Sequence, residues 1–374
     1  MKKNLSPENI AQIDREDMLG RVINMPQHFR EALQRAKSIR VDLKLDQIRN
    51  IVIAGMGGSA IGGELVKCLT YHQLPVPLAV CRSYHLPKFV DHRTLAIISS
   101  YSGNTEETLS AFEQALQRGA QIACITSGGK IGQMAEARGL PRFSLPTGFP
   151  PRSALVHLIV PILKTLQDCS FIPNLEPDIE ETVVLLEKLT QRYQPQNDQP
   201  DNDAKRLALA LRKRLPLIYA AEIYEAVAWR WKEQFSENSK VLAGHNVFPE
   251  LNHNELVGWG LRHEMDKKFQ VIYLNDRRVA SSEIHSRVFA RMELTKNIIE
   301  ESGAPVMSVA SEGQSLLARF FSLIFLGDMA SVYLAILNGV DPTPVEKIDY
   351  LKSQLTKISE TKRGQAATKQ GNRE

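Results

Sequence analysis

The chain of 374 residues contains few cysteines and no Cys-x-x-Cys pair. Its four cysteines, Cys68, Cys81, Cys124 and Cys169, lie far apart along the sequence. Such spacing is typical of buried free thiols in a reducing compartment. We therefore expect no disulfide framework and a cytoplasmic protein.

The sequence also has little net charge. The formal charge is +4, and four basic residues set against two glutamates in residues 360–374 contribute half of it. The rest of the chain is nearly neutral, which gives no electrostatic basis for binding nucleic acid or a membrane surface. We expect neither as a partner.

No uninterrupted hydrophobic run is long enough to indicate export or a membrane span. Glu8, Asp14 and Arg15 stand where a signal peptide would be apolar. The most apolar later stretch, residues 316–337, is interrupted by Arg319 and Asp328. It is typical of one or two helices buried in a protein core.

The order of apolar runs predicts an α/β fold with two doubly wound parallel sheets. Short runs at 51–54, 78–81, 94–99, 122–126 and 142–145 alternate with helical patterns, and runs at 217–221, 271–274 and 306–310 repeat the alternation. We predict a helical lead-in over 1–50, a first domain over 51–168, a second over 169–355 and a flexible tail over 356–374. A flexible loop is predicted over 193–203, where prolines, asparagines and aspartates cluster.

A glycine-rich turn follows the first of these strands, at residues 55–63. A dinucleotide site would need an acidic residue after the second strand, where the sequence has Arg82 and Ser83, and a P-loop would need a Gly-Lys-Ser/Thr triplet that is missing here. The remaining alternatives are a purely structural tight turn and a short anion-binding turn that uses Gly58 and Ser59.

A hydroxyl-rich turn, Ser100–Thr105, follows the third strand and opens a helix. It could bind a phosphate through hydroxyls and helix N–H groups, or Thr105 and Thr108 could simply cap the helix. A third polar turn at 126–130 follows the next strand. Turns that follow parallel strands meet at one edge of the sheet, which favours a ligand site there.

Three polar residues further along are candidates for chemistry. Arg152 is either a surface residue or a fork that holds a charged oxygen. Glu237 ends a predicted helix, and there it is either an exposed residue or a base tuned by partial burial. His253 lies in a polar loop, but the sequence contains no His-Glu-x-x-His motif, so no metal site is expected.

Five segments together resemble the bifunctional phosphoglucose/phosphomannose isomerases, two-domain sugar isomerase (SIS) proteins of the phosphoglucose isomerase superfamily. The resemblance covers residues 50–355 and rests on these motifs: Gly55-Met56-Gly57-Gly58-Ser59, Ser100-Tyr101-Ser102-Gly103-Asn104-Thr105, Pro151-Arg152, Glu237-Asn238-Ser239-Lys240 and Glu250-Leu251-Asn252-His253-Asn254-Glu255. The second motif marks any SIS domain, and the last two narrow the resemblance to this branch.

The resemblance implies a role for each candidate residue. The residues implied to bind the sugar phosphate are Gly58, Ser59, Ser100, Ser102 and Thr105. Arg152 would face the reacting carbons, Glu237 would be the base, and His253 would help to open the sugar ring. Lys352 would share that last task, with Lys347 as the less favoured alternative.

The implied activity is interconversion of glucose 6-phosphate and mannose 6-phosphate with fructose 6-phosphate. One carboxylate can move a proton between C2 and C1 while a guanidinium stabilises the enediol, so neither a metal nor another cofactor is expected. A homodimer is implied, with His253 crossing between subunits. A sugar-phosphate sensor and an aminosugar-phosphate isomerase remain as alternatives.

Overall fold

The structure is a computed structural model that describes residues 4–39, 47–197, 201–276, 283–355 and 357–358. The first half contains a parallel sheet with strand order β2-β1-β3-β4-β5. Its strands are β1 (Asn50–Ala54), β2 (Leu78–Cys81), β3 (Thr94–Ser99), β4 (Gln121–Thr126) and β5 (Arg142–Ser144). These are the five strands that the apolar runs predict. Every residue of β3 is buried because helices cover both faces of the sheet.

Among the described residues, seven α-helices accompany this sheet in chain order. They are α1 (Pro7–Ile13), α2 (Met18–Ile23), α3 (Met25–Lys37), α4 (Gly58–Leu69), α5 (Glu106–Gln117), α6 (Gly129–Ala137) and α7 (Leu155–Asp168). The first three form the predicted lead-in, and they bury Phe29 and Ala36 in the core. Helices α4, α5 and α6 each begin directly after a strand of the sheet.

The second half contains another parallel sheet, with strand order β7-β6-β8-β9. Its strands are β6 (Leu215–Ala221), β7 (Gly244–Phe248), β8 (Phe269–Asn275) and β9 (Val306–Ala310). The helices of this half are α8 (Glu176–Tyr193), α9 (Asp203–Leu211), α10 (Glu225–Glu237), α11 (His263–Asp266), α12 (Ser286–Glu301) and α13 (Leu316–Asn338). Residues 346–355 are also helical. The two parallel sheets confirm the predicted fold class.

Strand β7 and helix α8 are among the elements that no sequence pattern predicts. Strand β7 is an edge strand with only Phe248 fully buried, so its sequence shows no apolar run. Helix α8 begins inside the segment with Pro173 and Pro177, but proline is tolerated in the first turn of a helix. Its buried residues then recur at helical spacing.

Helix α13 fills the centre of the molecule. Among the described residues it is the one helix whose length and composition would suit a membrane span, and its most apolar window is entirely buried inside the protein. The stretch is therefore one continuous core helix. Arg319 and Asp328 interrupt its apolar sequence, and both form buried ion pairs.

Parts of four predicted segments lie outside the described residues. They are residues 1–3 and 40–46 of the lead-in, 198–200 of the 193–203 loop, 277–282 of the predicted second domain, and 356 and 359–374 of the tail. Residues 357 and 358 are helical.

Candidate active site

Three helix N-termini meet at the carboxyl edge of the first sheet. Helices α4, α5 and α6 follow the neighbouring strands β1, β3 and β4. In the described part of the chain, no side chain caps the first N–H groups of α4 and α5, whereas Asn104 Oδ1 accepts the N–H of Lys130 at the start of α6, and Asn202 and Ser315 cap α9 and α13. Uncapped N–H groups and the positive ends of the helix dipoles favour an anion.

Thr105 therefore does not cap its helix as the simpler interpretation predicts. It occupies the N-cap position of α5, but its side chain accepts no hydrogen bond from the N–H groups of that helix. Its Oγ1 instead accepts a hydrogen bond from Ser100 Oγ at 3.1 Å. Ser100 Oγ in turn accepts the N–H of Gly103 at 3.2 Å. These two hydrogen bonds leave the hydroxyl hydrogen of Thr105 available for donation to a ligand.

Ser59 and Ser102 also use their oxygens as acceptors. Ser59 Oγ accepts the N–H of Tyr101 at 3.2 Å, and Ser102 Oγ accepts the N–H of Asn104 at 3.3 Å. No hydrogen bond within the described ranges uses the hydroxyl hydrogen of either serine, so each can donate it to a ligand. An array that presents only donors suits a phosphate, whose oxygens accept hydrogen bonds.

Two glycines permit the close approaches that form this edge. Gly103 has φ +67°, and a Cβ there would lie 1.9 Å from the carbonyl oxygen of Gly128. A Cβ at Gly58 would lie 2.8 Å from the carbonyl oxygen of Pro151 and 3.3 Å from the nitrogen of Arg152. The missing side chain at Gly58 thus lets the start of α4 contact the turn that carries Arg152.

Tyr101 fixes the loop that leads to Arg152. Its hydroxyl donates to the carbonyl oxygen of Pro146 at 2.8 Å and accepts the N–H of Phe149 at 2.9 Å. Tyr101 lies inside the hydroxyl-rich turn, so one residue connects the anion site with the loop before Arg152.

Arg152 is almost fully buried, with 4% of its surface exposed. It lies in the 3₁₀ turn Pro151–Ser153, just before α7. Its Nη2 donates to the carbonyl oxygens of Pro342 at 2.7 Å and Thr343 at 2.9 Å, and its Nε donates to Asn238 Oδ1 at 2.6 Å. Burial lowers the pKa of the guanidinium, and the nearby carboxylate of Glu237 acts in the opposite direction.

Glu237 is the last residue of α10, and its Oε2 lies 3.4 Å from Arg152 Nη1. Three of the five guanidinium hydrogens are committed to protein acceptors, and one hydrogen of Nη1 faces Glu237. The other hydrogen of Nη1 can bind a ligand oxygen. A half-buried carboxylate therefore lies beside a cationic donor, an arrangement suited to proton transfer next to developing negative charge.

Lys240 supports the same segment from the other side. It has φ +58°, and its Nζ donates to the carbonyl oxygens of Glu237 and of Pro342, the latter at 3.0 Å. Burial lowers the pKa of this lysine to about 8, and the neighbouring Arg152 adds to the effect. Two cations thus share the carbonyl of Pro342.

A buried ion pair underlies the turn with Arg152. Arg230 Nη2 donates to the backbone oxygen of Arg152 at 3.0 Å and to Asp328 Oδ2 at 2.6 Å. Burial raises the pKa of Asp328, and Arg230 opposes that shift. Removal of either charge would leave the other buried without its partner, so the pair holds Arg230 in place. Because Arg230 also binds the backbone oxygen of Arg152, the pair fixes the position of the turn that carries Arg152.

His253, Lys352 and Lys347 are exposed in the single chain. His253 ends the 3₁₀ turn Glu250–His253 that follows β7, and no hydrogen bond or ion pair between described residues joins it to Arg152 or Glu237. Lys347 and Lys352 lie in the helical stretch 346–355. The structure thus connects the hydroxyl turns, Arg152 and Glu237, whereas His253 shares no hydrogen bond or ion pair with Arg152 or Glu237 among the described residues.

No sequence pattern assigns a role in the site to Tyr101, Asn238, Arg230 or Asp328. Tyr101 and Asn238 stand within the quoted motifs, so a role for them could have been suggested there. The Arg230–Asp328 pair spans 98 positions of sequence, and no local pattern predicts it.

Comparison with known proteins shows the family to which the chain belongs. Residues 200–355 match the family described as bacterial phospho-glucose isomerase C-terminal SIS domain. The chain is 44% identical to the bifunctional phosphoglucose/phosphomannose isomerase of Caldicellulosiruptor bescii over 92% of this chain and 100% of the relative. It is 37% identical to the protein of the same name from Thermoplasma acidophilum, over 88% of this chain and 99% of the relative.

The chain belongs to the bifunctional phosphoglucose/phosphomannose isomerase family. Solved structures extend the likeness of fold beyond that family. A hypothetical protein of Thermus thermophilus superposes with a TM-score of 0.73 at 16% identity, over 94% of each chain. At that identity the likeness concerns the fold alone.

Proposed function

We propose that this protein is an aldose-ketose isomerase that interconverts glucose 6-phosphate and mannose 6-phosphate with fructose 6-phosphate. The observation that carries the proposal is the approach of Glu237 to Arg152, at 3.4 Å, on a turn that contacts the start of α4. The turn with Arg152 thus connects an anion site, a cationic donor and a carboxylate.

The phosphate of the substrate binds at the edge of the first sheet. The uncapped N-termini of α4 and α5 and the hydroxyls of Ser59, Ser102 and Thr105 supply donors there, and Ser100 contributes by donating its own hydroxyl hydrogen to Thr105, which leaves that of Thr105 for the phosphate. Gly58 contributes a backbone N–H close to the turn with Arg152. The phosphate takes no part in the bond changes, so this binding holds the hexose in place for the chemistry.

Glu237 acts as the base on the open-chain sugar. It removes the proton from C2 and returns it to C1, and the hydroxyl proton passes from O2 to O1. The free Nη1 hydrogen of Arg152 binds the oxygen that becomes negative in the enediol. Both epimers give the same enediol, which allows one site to accept glucose and mannose 6-phosphates. Arg152 provides the positive charge, so we propose a metal-independent reaction that needs no cofactor.

Ring opening is assigned to His253 and Lys352, with Lys347 as the alternative lysine. His253 is exposed and apart from Glu237 in one chain, so it reaches the site from a partner subunit in the homodimer that we propose. The four cysteines are free thiols, which supports a reducing, cytoplasmic location. We propose no nucleic-acid or membrane partner.

A coupled assay for fructose 6-phosphate, run separately with each aldose phosphate, tests the proposal. We expect turnover of both substrates and loss of turnover in Glu237→Gln with retained binding of inorganic phosphate. If the protein were a sugar-phosphate sensor, the wild-type protein would show no turnover and Glu237→Gln would keep all of its ligand binding. Folded wild-type protein that converts neither aldose would contradict the proposed function.

A further inference from the structure

A second carboxylate lies one helical turn before Glu237. Glu233 and Glu237 are four residues apart in α10, which places their side chains on the same face of the helix. Trp229 lies a further turn back on that face. The three residues form a row that ends at Glu237.

The first domain presents a cation to this row. Arg82 follows β2 at the same sheet edge as Ser59, and its guanidinium carbon lies 3.6 Å from the centre of the Trp229 ring. Because Glu233 is one turn from Trp229, the guanidinium also faces Glu233. Arg82 Nη2 lies 3.6 Å from Glu64 Oε1, too far for a hydrogen bond.

The hydrogen bonds of Arg82 are incomplete. Its Nε and Nη2 atoms are buried and have no hydrogen-bond partner among the described residues. Buried donors without partners cost free energy, and a native structure seldom keeps them without a reason. A negative charge on a neighbouring carboxylate stabilises such a guanidinium. The positive charge of Arg82 and the negative charge of Glu233 therefore stabilise each other.

Several charges act on Glu233 from the surrounding elements. From the first domain, Arg82 acts on Glu233, and Glu64 lies beside Arg82. Helix α10 itself contributes Arg230, Lys232 and Glu237. His245 of β7 stacks on Trp229, with the ring centres 5.4 Å apart. Burial raises the pKa of Glu233 to about 7, Arg82 lowers it and Glu237 raises it further. Glu233 therefore changes charge near neutral pH.

We propose that Glu233 is a positioning residue for the isomerase site. When Glu233 is ionised, its negative charge disfavours the negative charge that develops on the substrate beside Glu237 and Arg152. The inference rests on the proposed function. The site turns over fastest while Glu233 is protonated, and Arg82 sets the pH at which that proton is lost. Glu233 touches no reacting atom and acts through the electrostatic environment of Glu237.

The pH profile of kcat/KM between pH 6 and 9 tests this inference. We expect the wild-type rate to fall about threefold or more as Glu233 ionises near pH 7, because a like charge then lies one turn from Glu237. Glu233→Gln should keep the higher rate across that range. The substrate phosphate ionises in the same region for every variant, so the difference between variants isolates Glu233.

Arg82 and an exposed glutamate provide the comparison variants. Arg82→Met should shift the fall in rate to higher pH, whereas Arg82→Lys should shift it less because a positive charge remains. Glu222→Gln, an exposed residue just before α10, should leave the profile unchanged. A Glu233→Gln profile that coincides with the wild-type profile would overturn the inference, even if the Arg82 variants fail to fold.

A second readout does not require turnover. In protein labelled with 13C at glutamate carboxyls, one resonance should titrate near pH 7 and be missing from Glu233→Gln. If no such resonance exists, the inference fails while the proposed function stands. If wild-type protein converts no hexose phosphate, the proposed function fails instead.

Discussion

Arg152 Nε donates to Asn238 Oδ1 at 2.6 Å, and this hydrogen bond joins the turn before α7 to the residue that follows Glu237. Asn238 is fully buried, and its Nδ2 donates to Ser331 Oγ of α13 at 2.9 Å. The amide is therefore held at both ends. It fixes the guanidinium and the carboxylate relative to each other across the two halves of the chain.

The first prediction concerns this amide. Asn238→Ala removes the acceptor of Arg152 Nε, so the guanidinium loses orientation and kcat should fall by about ten- to a hundredfold with little change in KM. Ser331→Ala removes the other partner and leaves the bond to Arg152, so kcat should stay within about threefold of wild type. Steady-state kinetics of both variants provide the measurement, and equal losses would argue against an orienting role.

The second prediction concerns the phosphate donors. Ser102→Ala removes a hydroxyl hydrogen that we assign to the phosphate, so KM and the inhibition constant of inorganic phosphate should both rise about tenfold with kcat nearly unchanged. Ser38→Ala removes an exposed hydroxyl at the end of α3 and serves as the control. An unchanged inhibition constant in Ser102→Ala would place the phosphate elsewhere.

The third prediction concerns Lys240. Lys240→Met leaves the carbonyl oxygens of Glu237 and Pro342 without their shared donor, and kcat should fall about tenfold because Arg152 depends on the same segment. Lys240→Arg retains a cation and several donors, so it should recover most of the activity. Comparison of the two kcat values at pH 7 provides the test, and a fully active methionine variant would contradict it.

The fourth prediction is a pH dependence of stability. His157 is buried beside Phe149 and His28, and neither ring nitrogen has a hydrogen-bond partner among the described residues. Burial lowers its pKa to about 4, with smaller contributions from His28 and Arg35. Between the folded-state value and the ordinary 6.5, the unfolded chain binds more protons, so stability is lost as the pH falls through that window.

The loss due to His157 should reach about 2 kcal/mol between pH 7.5 and pH 5. His157→Phe should weaken the pH dependence of the free energy of unfolding in urea, whereas His92→Gln at an exposed position should leave it unchanged. Parallel curves for wild type and His157→Phe would show that His157 does not titrate as the structure implies.

Local patterns predict the strands of this fold well because each strand of the first sheet is a short apolar run between polar turns. Strand β7 escapes prediction because an edge strand with half-buried residues has no such run. Helix α8 escapes because Pro173 before it and Pro177 in its first turn are typical of a linker. In both cases the burial that stabilises the element comes from distant parts of the chain.

The candidate site divides in the same way. The hydroxyl turns, Arg152 and Glu237 stand in recognisable motifs, but their meeting depends on contacts that the sequence does not display. Arg152 binds the carbonyls of Pro342 and Thr343, which are 190 and 191 positions away. Arg152 binds backbone oxygens, which every residue type has, so the residue types at positions 342 and 343 do not indicate these hydrogen bonds.

The transfer of a proton by Glu237 is the central claim, and exchange with solvent tests it most directly. NMR of glucose 6-phosphate incubated with the enzyme in D2O follows deuterium entering at C2. We predict incorporation with the wild-type protein and none with Glu237→Gln, although that variant should still bind inorganic phosphate. Incorporation by Glu237→Gln at the wild-type rate would contradict the account.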